Sequence, residues 1–152
     1  MRESALIGSG ILGTQIAIMA AHARYNVKIY DPNKDAFIES SNKVEKNLKT
    51  KGGSPFIPWD DWEKSKQSVQ QATSLDEAVQ DAELVIESVP EIVELKNAVF
   101  RELGEKTPPQ AILATNSSSI PVSKMEASSG RPELCLNIHF YAPYKGQIWQ
   151  MS

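Results

Sequence analysis

The stretch Ala5-Leu6-Ile7-Gly8-Ser9-Gly10-Ile11-Leu12-Gly13, with Val27-Lys28-Ile29-Tyr30-Asp31 after it, decides how this chain folds. A short apolar run enters a G-x-G-x-x-G turn, a helical pattern follows, and a second apolar run closes on a carboxylate. That is the order a dinucleotide-binding βαβ unit requires. The glycine string alone reads equally well as a flexible turn; the strand before it, the helix after it and the acid at the end of the next strand decide for binding. Gly8 would let the chain turn sharply off the strand, Gly10 would bring the backbone close to a pyrophosphate, and Gly13 would let the helix lie tightly on the sheet. The helix start, carrying Ser9, Ile11 and Leu12 with the glycines, would offer unpaired N–H groups and a partial positive charge to phosphates. Asp31, eighteen residues after Gly13, would accept the ribose hydroxyls. Its charge would repel a 2′-phosphate, and no arginine follows in Pro32-Asn33-Lys34, so NAD is favoured over NADP.

At 152 residues, 41% apolar and 23% charged, the chain has the size and composition of one ordinary globular domain, residues 1–152. A net charge of -3 gives no electrostatic reason to expect nucleic acid or an anionic membrane as partner. No apolar stretch approaches a membrane span, and because the N-terminus runs almost directly into the first strand no targeting peptide is expected ahead of it. Cys135 is the single cysteine and lies in an apolar run, where it reads as a buried, inert thiol. These features together predict a cytoplasmic setting.

Apolar positions Ile16, Ala17, Met19, Ala20 and Ala23 recur at helical spacing after the glycine loop, with His22 a solvated residue near the helix end. Residues 34 to 51 predict a long polar helix with Phe37, Ile38, Val44 and Leu48 on its apolar side, ended by Gly52-Gly53-Ser54-Pro55. Asp60 or Asp61 would cap a short helix running to Gln70; Trp59 and Trp62, one turn apart, either pack on the domain or belong to a substrate-contacting lid, with packing favoured. Ser74 would cap a further helix, and Glu77 would complete a capping box. Leu84 to Val89 reads as a buried central strand ended by Pro90, with Glu91 just past its end. A helix over 92–105 would turn Leu95, Val99, Phe100 and Leu103 inward and carry Lys96 in its first turns. Strands over 111–115 and 134–140 follow, the first running into Asn116-Ser117-Ser118-Ser119 and the second carrying His139 near its end. Strands alternating with helices predict an α/β fold: a Rossmann-like, doubly wound, mostly parallel sheet with helices on both faces. In such sheets ligands gather beyond the carboxyl ends of the strands, where Gly8 to Gly13, Asp31, Glu91, Asn116 to Ser119 and His139 would all fall.

This combination resembles the NAD-binding domain of the L-3-hydroxyacyl-CoA dehydrogenase family. The resemblance covers nearly the whole chain, through the glycine loop with Asp31, Val85-Ile86-Glu87-Ser88-Val89-Pro90-Glu91 with Lys96, Ala114-Thr115-Asn116-Ser117-Ser118-Ser119, and His139-Phe140-Tyr141-Ala142-Pro143. It implies that Glu91, Lys96 and Ser118 contact the cofactor, that Ser118 and Asn116 approach the reacting oxygen of the substrate, and that His139 is the catalytic base. The reaction implied is hydride transfer between NAD and a 3-hydroxyacyl-CoA, in fatty acid metabolism, with an acyl-CoA as the small-molecule partner. Asn47, Lys49 and Lys51 fall where the family meets the CoA nucleotide, although lysines on a polar helix read first as solvated charge. The chain departs from the pattern in three respects. Gln150 or Met151 stands where the family carries a glutamate that orients the histidine, and Ala142 replaces an asparagine. The helical domain that completes the acyl-CoA cleft and makes the homodimer is not in the sequence. The chain alone is therefore expected to bind NADH but to turn over acyl substrates poorly. Two alternatives remain open, a catalytically decayed NAD(H)-binding module and a dehydrogenase of the same family acting on a hydroxy acid without CoA. No cluster with metal-ligand spacing is expected.

Overall fold

The apolar runs read above as strands all contribute to one sheet in the computed structural model, which describes residues 3–50 and 57–140. In chain order the elements are β1 (Glu3–Ile7), α1 (Ile11–His22), β2 (Asn26–Tyr30), α2 (Ala36–Thr50), α3 (Trp59–Ser68), β3 (Gln70–Gln71), α4 (Leu75–Val79), β4 (Leu84–Glu87), α5 (Val93–Lys106), β5 (Ile112–Thr115) and, after three short 3-10 turns, β6 (Cys135–Asn137). The strands lie in the order β3-β2-β1-β4-β5-β6, and every pairing between them is parallel. The chain leaves β1 in one direction through β2 and β3 and returns on the other side through β4. The switch point therefore lies between β1 and β4, where a doubly wound sheet opens a crevice.

Register then determines what meets at that crevice. Ile7 pairs with Tyr30 on one side and with Glu87 on the other, Glu87 pairs with Thr115, and Thr115 with Asn137. Five strands therefore end in one row, and the residues just past them, Gly8, Asp31, Ser88, Asn116 and Ile138, emerge along one edge.

Side-chain alternation along the strands builds two cores. Leu6, Val27, Ile29, Ile86 and Ala114 face α1, α2 and α3, with Ile16, Phe37, Val44 and Trp62 packed on them. Ala5, Ile7, Val85 and Leu113 face the opposite way, against Ala78, Val79, Phe100, Leu103 and Met125. Helix α1 ends in a Schellman turn. Arg24 N–H donates to Ala21 C=O at 2.9 Å and Tyr25 N–H to Ala20 C=O at 3.1 Å, with Arg24 itself left-handed at φ 67.

Several local expectations need correction. Ile38 is exposed, whereas the small Ser40 and Ser41 are buried on α2. Leu95 is also exposed, while Lys96 next to it is the buried residue. Neither Asp60 nor Asp61 caps α3; both lie in its first turn, where their charge suits the helix dipole, and Pro58 occupies the cap. The tryptophans divide. Trp62 is buried, while Trp59 stacks on it with 6.5 Å between ring centroids and keeps its outer face toward solvent, with the Lys49 ammonium 5.1 Å above the ring. Ser74 caps α4 by accepting from Glu77 N–H at 3.1 Å, but the Glu77 carboxylate reaches one residue further back than a capping box, to Thr73 N–H at 2.7 Å. Strand β6 stops at Asn137, so His139 lies beyond the sheet rather than in it.

Candidate functional site

At the end of β1 the backbone turns at Gly8, which has φ 103; a Cβ there would sit 2.6 Å from Ser88 O, just past the end of β4. Gly13 is equally constrained, since its Cβ would fall 2.2 Å from Gly8 O, so the first turn of α1 can approach the loop only without a side chain. Gly10 differs: nothing lies within 4 Å of where its Cβ would be. Two glycines thus build the turn and the third leaves space over it. Ser9 is buried within the loop, its carbonyl accepting from Thr14 Oγ1 at 3.0 Å, while Ile11 is exposed and Leu12 half-buried.

Asp31 is joined to this loop directly. One carboxylate oxygen accepts from Ser9 N–H at 2.8 Å and the other from Asn33 N–H at 2.9 Å, so the acid orders the turn as well as facing the crevice. A groove of about 690 Å³ opens beside it, between Gly8 and Gly10, Asp31, Val89, Leu95 and Val99. The exposed Leu95 is a wall of this groove. Polar backbone at one end, an acid at its side and aliphatic walls suit a sugar phosphate attached to a flat apolar base. A second groove of about 320 Å³, between Leu6, Ile16, Met19, Leu84, Ile86 and Phe140, lies on the α1 face and is apolar apart from Ser4 and Tyr25, so it offers no group for chemistry.

Past β4 and β5 the polar residues form a connected set. Lys96 is 1% exposed and Glu87 0%, with 2.7 Å between ammonium and carboxylate. The same ammonium meets Glu91 at 3.1 Å and donates to Val89 C=O at 3.2 Å. Glu91, at the rim, accepts from the hydroxyl of Ser117 and, at 2.9 Å, from that of Ser119. Burial pushes the Glu91 carboxyl up, but the hydrogen bonds from Ser117, Lys96 and Ser119 outweigh it and hold the group down at about 2. Ser118 stands between the two tied serines and is exposed.

Asn116 is 8% exposed and works within the structure. Its amide donates to Ser88 Oγ at 3.2 Å, and its carbonyl accepts from Phe140 N–H at 2.9 Å. Ile138 N–H donates to Thr115 C=O at 3.0 Å. Both neighbours of the half-buried His139 are thus fixed to the β5 end. The structure brings Gly8 to Gly13, Asp31, Glu91, Asn116, Ser118 and His139 to one edge of the sheet, with Lys96 buried behind Glu91. Ala142, Gln150, Met151 and Lys51 lie outside the described residues. Sequence reading placed Ser117 and Ser119 at this edge but gave them no role, and it missed Glu87 as a member of the site; the available signal for Glu87 was a glutamate inside an otherwise apolar strand. Cys135 is half-buried, with its thiol pushed up by burial, as expected of an unreactive cysteine. Among the described residues no group of His, Cys, Asp and Glu is placed to hold a metal ion, and no helix is long and apolar enough to cross a membrane.

Comparison with known proteins agrees with this geometry. Residues 3–147 match the family model described as 3-hydroxyacyl-CoA dehydrogenase, NAD binding domain. The 3-hydroxyadipyl-CoA dehydrogenase of Escherichia coli K12 is 32% identical over 139 residues, which is 91% of this chain and 29% of that protein. Among solved structures, a 3-hydroxybutyryl-CoA dehydrogenase from Escherichia coli K12 superposes with a TM-score of 0.80 at 32% identity, over 93% of this chain and 30% of the other. A diketoreductase that acts on dicarbonyl compounds superposes with a TM-score of 0.80 at 34% identity, over 91% of this chain and 49% of the other. The chain spans between 29% and 49% of the length of the first curated relatives it matches.

Proposed function

Because this chain belongs to the NAD-binding-domain family of the 3-hydroxyacyl-CoA dehydrogenases, we propose that it supplies the coenzyme half of a hydride transfer between NAD and the C3 carbon of a 3-hydroxyacyl-CoA. The observation that supports this best is the open space over Gly10 beside Asp31 at the switch point. The residues present fit the coenzyme: amides of the loop and of the α1 N-terminus for the diphosphate, Asp31 for the adenosine ribose, and Glu91 at the β4 end for the second ribose. Bound NAD would supply the hydride acceptor, and NADH the donor in the reductive direction.

The protein's own part is to hold the reacting oxygen and move one proton. Ser118, free of the ties that bind Ser117 and Ser119, would donate a hydrogen bond to the substrate oxygen. His139 would take the hydroxyl proton on an imidazole nitrogen as the carbonyl forms, and return it in the other direction. Asn116 would hold His139 in place through Phe140 N–H rather than touch the substrate. Lys96 would act through Glu91. Lys49 above Trp59, with Asn47 on the same helix, would face the CoA nucleotide. We place the reaction in cytoplasmic acyl-CoA metabolism, with dimerisation through a helical domain like that of the family.

A second reading keeps the chemistry and changes the substrate to a small hydroxy acid or dicarbonyl without CoA; the likeness to the diketoreductase favours it. Titration of the chain with NADH tests the coenzyme reading. Saturable binding that Asp31→Asn weakens is expected, and no binding to the folded chain would sink it. Oxidation of 3-hydroxybutyryl-CoA compared with 3-hydroxybutyrate in the natural protein, with His139→Asn as control, separates the two substrate readings.

A further inference from the structure

The Glu87–Lys96 pair needs a reason for its depth. Replacing a fully buried ion pair by apolar residues of similar size is often neutral or stabilising, so the stability of the fold does not explain it. The hydrogen bonds around it do. Glu87 Oε1 accepts from Lys96 and, at 2.7 Å, from Val89 N–H, while Oε2 accepts from Thr115 Oγ1 at 2.7 Å. Thr115 Oγ1 in turn accepts from Ser117 N–H at 3.2 Å, and the Ser117 hydroxyl donates to Glu91, which Lys96 also meets. The path from Glu87 through Lys96, Glu91, Ser117 and Thr115 therefore closes on Glu87. We infer that Glu87 is a positioning residue for the nicotinamide half of the coenzyme site, dividing the charge of Lys96 so that Glu91 stays an oriented anionic acceptor and the turn bearing Ser118 stays fixed. Without the Glu87 charge, Lys96 would be drawn wholly onto Glu91 and would compete with any ligand hydroxyl there.

This inference rests on the proposed coenzyme site and deepens it. Its reach is one half of that site, because Asp31 and the glycine loop lie on the far side of the switch point and, among the described residues, share no hydrogen bond with the ring. The test measures NADH and AMP affinities for the chain and for Glu87→Gln, Glu91→Gln and the double variant. Glu87→Gln is expected to weaken NADH by about tenfold, the scale of one charge-assisted hydrogen bond, and to leave AMP unchanged. The double variant should bind NADH no worse than Glu91→Gln, since one residue acts through the other. Parent-like NADH affinity in Glu87→Gln, equal losses for AMP and NADH, or additive losses in the double variant would each overturn it while leaving the coenzyme reading intact. No NADH binding by the parent would overturn both. Should Glu87→Gln fail to fold, Glu87→Met with Lys96→Met fills the same space without buried charge; it should fold and bind NADH weakly, and parent-like binding there would also refute the role of Glu87.

Discussion

Gly10 and Gly13 carry the same residue type three positions apart and are constrained by different things. A methyl group at Gly13 would meet backbone at 2.2 Å, and backbone cannot swing aside as a flexible side chain would. Gly13→Ala should therefore lower stability by about 2 kcal/mol, the usual cost of overpacking, and denaturant unfolding would show it. At Gly10 the methyl meets nothing, and φ is -61, which alanine adopts freely. Gly10→Ala should cost less than about 1 kcal/mol while weakening NADH, because the methyl would enter the space proposed for the diphosphate. If Gly10→Ala binds NADH as the parent does, the groove is not where the diphosphate lies. Glu91 gives a second prediction. Its carboxyl is depressed in the fold, so its contribution is present above an ordinary carboxylate pKa near 4.5 and is lost as pH falls toward about 2. The melting temperature of the parent should exceed that of Glu91→Gln most at pH 5 and above, with the gap closing between pH 4.5 and 2. Because 39% of the side chain is exposed, added salt should shrink the gap as well. A gap that widened on acidification would contradict the hydrogen bonding described.

Elements show where local chemistry overrides pattern. The α1 terminus uses Arg24 in the left-handed region, where a non-glycine residue pays about 1–2 kcal/mol, and the side chain is exposed. Arg24→Gly should relieve that strain, offset in part by the greater freedom of the unfolded chain, and raise stability by about 0.5–1 kcal/mol; a thermal melt showing a loss would mean that the arginine makes a contact worth more than the strain. The first βαβ unit was legible because glycine spacing, apolar runs and a terminal acid all constrain one another. Strand β3 was not, since Gln70 and Gln71 carry no alternation and pair only because β2 offers a free edge through Lys28 and Ile29. Ile38 and Leu95 sat at helical spacing, yet periodicity gives a face and not its limits, and both fall at the margin. The burial of Lys96 was hidden for a related reason: the resemblance gave it to the cofactor, and only the fold sets Glu87 opposite it. Thus the residues that would touch ligands were read from motif, whereas those that hold them, Glu87, Ser117 and Ser119, depended on a contact across 26 or 28 positions of sequence.

For the whole molecule, the register that ends five strands in one row means that a bound dinucleotide would touch both halves of the sheet at once, Asp31 on the β2 side and Glu91 on the β4 side. A ligand that binds only the folded state adds its binding free energy to the stability of the fold, about 2.7 kcal/mol at one hundred times the dissociation constant. In a domain of this length each kcal/mol is about 2–4 °C, so NADH at that concentration should raise the melting temperature by about 5–10 °C. NADPH at the same concentration should give less than about half that rise, because its 2′-phosphate would bring negative charge against the Asp31 carboxylate. Asp31→Asn keeps one carbonyl oxygen able to accept from Ser9 N–H at the present 2.8 Å, so the glycine loop stays held while the charge and the bond from Asn33 N–H are lost. In that variant the NADH shift should fall and the NADPH shift should not, bringing the two coenzymes together. Equal shifts for the two in the parent chain would show that the acid orders the glycine loop and does not choose the coenzyme.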